Sequence, residues 1–361
     1  MKQNSELTRY MNRAIENLAA SVVRGTLKNP RETAFILKLR DRLVRAMKKR
    51  ETAEKQGRHI PPFLISSIAT ECNLHCKGCY ARANGICSAG EEKALTAEEW
   101  QKIFEEAAGI GVSFNLLAGG EPLMRRDVLE AAACVKEMVF PVFTNGLLID
   151  EKTADFFEKN RHLIPVISIE GGKAQTDDRR GEGTYRAVQE VMERLRERGL
   201  LFGVSITVTT ENFHTVTGDA FIKKLDSHGC RLAFFVEYVP VEESSELLAP
   251  SEAERVILER RQAALREAFP EMIFLSFPGD EKHMGGCLAA GRGFFHINAY
   301  GAAEACPFSP YSDRSLREHT LLEVLDSPFF ARLQQESLVG GEHDGGCALF
   351  QKRAQVQALL K

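Results

Sequence analysis

The stretch "FLISSIATECNLHCKGCY", residues 63 to 80, decides how the rest of the chain is read. Its first eight residues are apolar or small and rich in isoleucine, the composition of a buried strand. The next ten carry Cys72, Cys76 and Cys79, with Gly78 between the last two. A structural zinc site closes with four ligands, commonly as two Cys-x-x-Cys pairs, whereas this triplet supplies three at spacings of four and then three. His75 stands between two of the cysteines, where the loop would have to fold sharply on itself to use it. Three thiolates can instead hold three irons of a four-iron cluster and leave the fourth open. Gly78 lets the backbone wrap closely around a bulky inorganic core.

Outward from this loop, short β-branched runs alternate with helical stretches. Strands are expected at 63–70, 113–119, 141–146, 165–170, 202–209 and 231–239. Helices are expected between them at 97–109 behind a Thr96 cap, 126–138, 151–160 and 184–198. Six strand-then-helix units predict an α/β fold, a parallel sheet curled into a partial (β/α)6-type TIM-like barrel spanning 61–278. In such folds the chemistry sits at the strands' C-terminal ends, where the cysteine loop begins. Residues 1–60 read as a helical N-terminal extension. Leu7, Met11, Ile15, Leu18 and Val22 fall on one face, Ile36, Leu39, Leu43 and Met47 on another, and Asn29-Pro30 separates the two helices. Residues 279–361 read as a small α+β module, with a hairpin in 293–306 turning near Asn298 to Gly301 and one amphipathic helix over 321–336.

With 361 residues, 44% of them hydrophobic, the chain can bury a core of one or two large domains. A formal charge of −3 excludes a general attraction to nucleic acid or anionic membrane. The basic run from Lys38 to Arg58 reads as a solvated helix face. Charges scattered through the first twenty residues leave no apolar core for a signal peptide, and no membrane span is evident, so a cytoplasmic location is expected. There, nine cysteines are reduced thiols and metal ligands in preference to disulfides. Cys134 and Cys230 read as core thiols, while Cys87 stays unassigned.

Cys-x-x-x-Cys-x-x-Cys after the first strand, followed by Tyr80, resembles the signature of the radical S-adenosylmethionine (SAM) enzymes. "GGEP" at the end of the second strand, with Gly119, Gly120 and Glu121, resembles the segment that meets the amino group of SAM's methionine. "SIEG" closing the fourth strand resembles the ribose-binding segment, with Ser168 and Glu170 on one side. In "DRRGEGTY", 178–185, Arg180 is placed to clamp the methionine carboxylate. Ser205, Thr207 and Tyr238 are further candidates for the pocket. The resemblance implies that Cys72, Cys76 and Cys79 bind a [4Fe-4S] cluster. SAM chelates its open iron and is reductively cleaved to a 5'-deoxyadenosyl radical, which takes hydrogen from a small-molecule or peptide substrate. An electron donor such as flavodoxin or ferredoxin is implied as a partner, and neither membrane nor nucleic acid.

Cys287, Cys306 and Cys347 remain, and their run resembles the twitch form of the SPASM-like auxiliary cluster module. The full version ends in Cys-x-x-Cys, but this chain reads "CALF", with Phe350 where the last ligand is expected. Three readings stay open: a second [4Fe-4S] cluster with an open iron, a cluster completed by a non-cysteine ligand such as His343 or Asp344, or a module that holds nothing. Glu237 and Asp280 are the acids proposed to take a proton from substrate. An oxidation or modification assisted by the second cluster is the leading reading, with tetrapyrrole or pterin cofactor biosynthesis as the alternative. A zinc-binding protein or a simple electron carrier would use the cysteines too, but neither needs polar, glycine-rich ends on successive strands facing one lumen.

Overall fold

A computed structural model describes residues 6–13, 15–16, 30–87, 93–241, 243–340 and 347–360. The isoleucine-rich run is strand β1 (Phe63–Ala69), followed by β2 (Phe114–Gly119), β3 (Phe140–Thr144), β4 (Leu163–Ser168), β5 (Gly203–Val208) and β6 (Leu232–Glu237). Each pairs in parallel with its sequence neighbour, as a wall of consecutive strand–helix units must. A seventh parallel strand, β7 (Ile273–Phe277), follows the helix Glu252–Ala268 and was not anticipated. Its five residues directly follow a long polar helix, too short a run to show a period of its own.

The hairpin strands β8 (His296–Ile297) and β9 (Ala303–Glu304) lie where expected. β8 pairs with β1, so the sheet order is β7-β6-β5-β4-β3-β2-β1-β8-β9 and the barrel is partial. Alternation decides which side chains see the lumen. Val204, Ile206 and Val208 are buried under the helices, whereas Ser205 and Thr207 face the central cavity; Ala233 and Phe235 likewise turn out while Leu232, Phe234 and Val236 turn in.

The helix Ala97–Ile110 starts at Thr96, whose side chain accepts from Glu99 N while Glu99 returns to Thr96 N, and stops at Gly111 with φ 109°. Two helices differ from expectation. The one expected over 126–138 ends at Cys134, leaving that thiol exposed and correcting its assignment to the core. The stretch 321–336 forms two helices, Leu321–Leu325 and Pro328–Gln335, because Pro328 has no N–H to continue the first and Ser327 caps the second. Cys230 is buried as expected, and burial pushes its thiol up to about 12.

Helix Pro30–Lys55 lays Ile36, Leu39, Leu43 and Met47 with Ile15 against Val139 and Ile164. Leu18, Val22 and Asn29 lie outside the described residues. One member of the basic run is not solvated: Arg50 is buried and donates to Gly111 O, Ser113 Oγ and Asn12 Oδ1. No helix among the described residues is long and apolar enough to cross a membrane.

His162, just before β4, is 2% exposed and packs edge-on against Phe140. Burial, with Lys136 nearby, lowers its pKa to about 4. The folded state therefore refuses a proton that the unfolded chain accepts near 6.5, so stability present above pH 6.5 is lost as pH falls toward 4. His162→Phe should flatten this acid limb, and by pH 5 the wild type should have lost about 2 kcal/mol more than the variant. Urea unfolding of both proteins at neutral and acid pH checks it; identical pH slopes would show that the imidazole titrates without constraint.

Candidate functional site

Cys72, Cys76 and Cys79 are half-buried and, with Tyr80, line the barrel lumen, a cavity of about 520 Å³. His75 between them is exposed, consistent with its exclusion as a ligand. The loop is held from several sides. Lys77 N donates to Arg179 O at 2.9 Å, Arg82 Nη2 to Leu74 O at 2.6 Å, and Asn145 Nδ2 to Asn73 Oδ1 at 2.8 Å. Gly78 adopts φ 62°, and a Cβ there would stand 2.4 Å from Tyr238 Oη, so only glycine lets the loop lie against that ring. The Tyr238 hydroxyl is buried with no partner among the described residues, which places this weaker candidate directly beneath the cysteines.

At the end of β2, Gly120 N donates to Ala69 O at 2.8 Å and Glu121 N to Glu71 O at 2.7 Å. Those N–H groups are engaged by the cysteine strand, so what the segment can offer a ligand is carbonyl oxygen, the acceptor an ammonium group requires. Gly119 and Gly120 line the cavity. The Glu121 carboxylate, 1% exposed, serves to join two strands. It accepts from Thr144 Oγ1 at 2.6 Å, Asn145 N at 2.8 Å and Leu123 N at 3.0 Å, tying the end of β2 to the end of β3. A Cβ on Gly120 would sit 2.0 Å from Glu71 O, against backbone that cannot swing away. Gly120→Ala should therefore prise the two strand ends apart, lowering the thermal midpoint and weakening SAM binding by an order of magnitude or more in calorimetry. Unchanged binding would show that the segment does not shape the ligand site.

Ser168 lies on the cavity wall, its backbone paired with Ser205 of β5, and Ser205 and Thr207 line the same wall. Glu170, expected beside Ser168, is not among the cavity-lining residues. The strand stops at Ser168, so the alternation does not carry on, and Glu170 turns under two arginines. It accepts from Arg179 Nη1 at 2.6 Å, Arg180 Nε at 2.7 Å and Thr207 N at 3.1 Å. Arg180 Nη1 also lies 3.9 Å from Cys76 Sγ. Burial opposes the guanidinium charge of Arg180, yet Glu170 and Cys76 hold its pKa above the ordinary value. Arg179 lines the cavity beside it and was missed in the sequence, where only Arg180 was singled out.

The two proposed acids sit in ion pairs. Glu237, on the cavity wall, accepts from Arg255 Nε at 3.0 Å. Asp280 accepts from Arg266 Nη2 at 2.8 Å and Ser276 N at 2.8 Å, which pins it to the end of β7. The next residue was overlooked. Glu281 lines the cavity at 3% exposure, and burial pushes its carboxyl up to about 8. Within "GDEKHM" it looks like one more solvated charge, yet it is buried beside Cys287.

That segment brings the remaining cysteines together. Cys287 and Cys306 are buried and Cys347 half-buried. Burial raises the Cys306 thiol, which hydrogen-bonds Cys347, and that bond lowers Cys347. Phe350, where a cysteine was expected, has the Arg353 guanidinium over its ring. His343 and Asp344 lie outside the described residues. Asn84 Nδ2 donates to Pro307 O, and Tyr80 meets Phe308 edge-on at 5.1 Å, so the two cysteine groups share one wall. Among the described residues, no three Cys, His, Asp or Glu side chains converge as they would on one metal ion. Three thiolates serving three separate irons need no such convergence, and an all-thiolate donor set beside a glycine-lined approach fits an iron–sulfur cluster at the first group.

Fold and site together define a partial α/β-barrel enzyme that presents a three-thiolate loop to an enclosed lumen. Residues 66–220 match the Radical SAM superfamily. That superfamily uses a [4Fe-4S] cluster and SAM. The chain is similar to the AdoMet-dependent heme synthase of Methanosarcina barkeri, 26% identical over 74% of this chain and 82% of the relative. It is also similar to the Fe-coproporphyrin III synthase of the same organism, at 30% identity over 43% of this chain but 39% of that protein. Among solved structures, Streptococcus suis SuiB bound to its precursor peptide SuiA has the same fold, with a TM-score of 0.65 at 17% identity over 84% of this chain and 76% of SuiB.

Proposed function

We propose that this enzyme generates a 5'-deoxyadenosyl radical in the lumen and uses it to oxidise or modify a small molecule or peptide with an apolar reacting portion, assisted by a second cluster. The observation that carries this reading is one shared enclosure: Cys72, Cys76 and Cys79, the β2 glycines, Ser168 and both arginines face a lumen otherwise walled by Phe143, Phe234, Leu275 and similar side chains. When bound, the cluster and SAM supply the radical. The protein's part is to hold the three irons through its thiolates, to offer β2 carbonyls to the methionine ammonium, and to place Arg179 or Arg180 near its carboxylate. Ser168 and Ser205 supply hydroxyls for a ribose. The apolar wall keeps water and stray hydrogen donors from the reacting carbon. Glu237 and Asp280 are the candidate proton acceptors on that wall, each held in an ion pair, with Arg255 and with Arg266.

The likeness to a heme synthase over most of both chains favours a tetrapyrrole as the particular substrate over a pterin. The test is anaerobic purification and reconstitution, with iron and sulfide per chain, Mössbauer and EPR spectra, and an assay for 5'-deoxyadenosine with SAM and a strong reductant. About eight irons with 5'-deoxyadenosine formed is the expected result, matching two four-iron clusters. Tightly bound zinc, or a reducible cluster that never cleaves SAM, would overturn the reading.

A further inference from the structure

The second cysteine group has three thiols where a closed four-iron cluster takes four ligands, and the missing partner is not supplied by Phe350. Glu281 is the residue that meets this need in space. It stands in the turn Gly279–Met284 at the end of β7, six residues before Cys287, and its carboxyl hydrogen-bonds the Cys287 thiol and lies in the field of Cys347. It is 3% exposed, and its Oε1 has no hydrogen-bond partner among the described residues. A buried carboxyl oxygen without a partner costs on the order of 1–3 kcal/mol, so such an atom calls for an explanation. The surrounding donors are accounted for elsewhere: Arg292 directs its guanidinium to the carbonyls of Gly285, Gly286 and Cys287. Glu281 also lines the lumen, so it stands between the cavity and the cysteines.

We propose that Glu281 is the fourth protein ligand of the auxiliary cluster held by Cys287, Cys306 and Cys347, completing it on the side that faces the lumen. This rests on the second-cluster reading above. On coordination a carboxylate oxygen lone pair would bind the iron left without a thiolate; no electron changes hands. A carboxylate is a weaker partner for cluster iron than a thiolate, so this iron is the one most open to exchange with substrate.

The test uses the full-length protein, reconstituted with Mössbauer-active iron, alone and in a Cys72→Ala/Cys76→Ala/Cys79→Ala background that removes the first cluster's ligands. In that background the remaining cluster should show one iron distinct from the other three. Glu281→Gln should raise the three-iron EPR signal several-fold under mild oxidation. Glu281→Cys should instead make the four irons alike, which also guards against simple misfolding of the glutamine variant. His343→Ala and Asp344→Ala should leave the spectra unchanged. Spectra unaffected by either Glu281 change would overturn the inference even if turnover fell, and so would either of the other two variants reproducing the glutamine effect. If the triple-alanine protein retains no iron that is lost on Cys287→Ala, the second-cluster reading itself fails, and this assignment with it.

Discussion

Cys76→Ser is expected to abolish 5'-deoxyadenosine formation and remove about four irons per chain, one cluster's worth, while the C-terminal cysteines keep their own. A serine hydroxyl is a hard, rarely ionised donor and does not replace a thiolate on cluster iron. Cys76 also has a cationic neighbour, Arg180 Nη1 at 3.9 Å, so its loss removes both a ligand and a contact of that guanidinium. Cys134→Ser is the matched control: the thiol is exposed at a helix end, and neither iron content nor SAM cleavage should change. Iron analysis and SAM turnover on both variants check the pair. A Cys76→Ser protein that still cleaves SAM would remove Cys76 from the ligand set.

Glu170→Gln should destabilise the protein by about 3–5 kcal/mol, the range found when one partner of a buried ion pair is removed. The carboxylate is 1% exposed and offsets two guanidinium groups, Arg179 and Arg180, whose side chains are themselves 16% and 10% exposed. A neutral amide leaves both charges in the wall of an apolar cavity without their carboxylate partner. The loss should appear as a lower urea midpoint with an unchanged denaturant slope. SAM affinity should fall as well, because the two arginines would no longer be aimed. A change below about 1 kcal/mol would mean that they swing out to water at little cost, as exposed ion pairs do.

Much of this architecture was legible in the chain. Six of the seven parallel strands, the capped helix after Thr96 and the hairpin around Asn298 follow from local rules: β-branched runs, a Thr–Glu capping box, a glycine in a left-handed turn. β7 escaped because five residues show no period. The break at Pro328 was readable, since Ser-Pro begins helices, but the apolar spacing on either side masked it. Cys134 was placed in the core because its helix was read one turn too long.

Among the site residues, the division follows the range of the interactions. Cys72, Cys76, Cys79, Gly119 and Gly120 lie within single loops, so their spacing and the absence of side chains carried the chemistry before any contact was known. The charged residues needed the fold. Glu170, Arg179 and Arg180 are near neighbours in sequence, yet their pairing depends on β4 ending at Ser168. Glu121, expected in the segment that meets SAM, lines the cavity and also ties two strands together, because Thr144 and Asn145 reach it from β3. Glu281 looked like surface charge and is buried beside cysteines 6 and 66 residues away. A sequence determines directly what covalent neighbours can do together: the period of a strand, the cap of a helix, the bite of three thiols on one loop. Which charge is desolvated, and by what, depends on segments that meet only when the sheet closes, and the free energy of that desolvation is a property of the assembled interior.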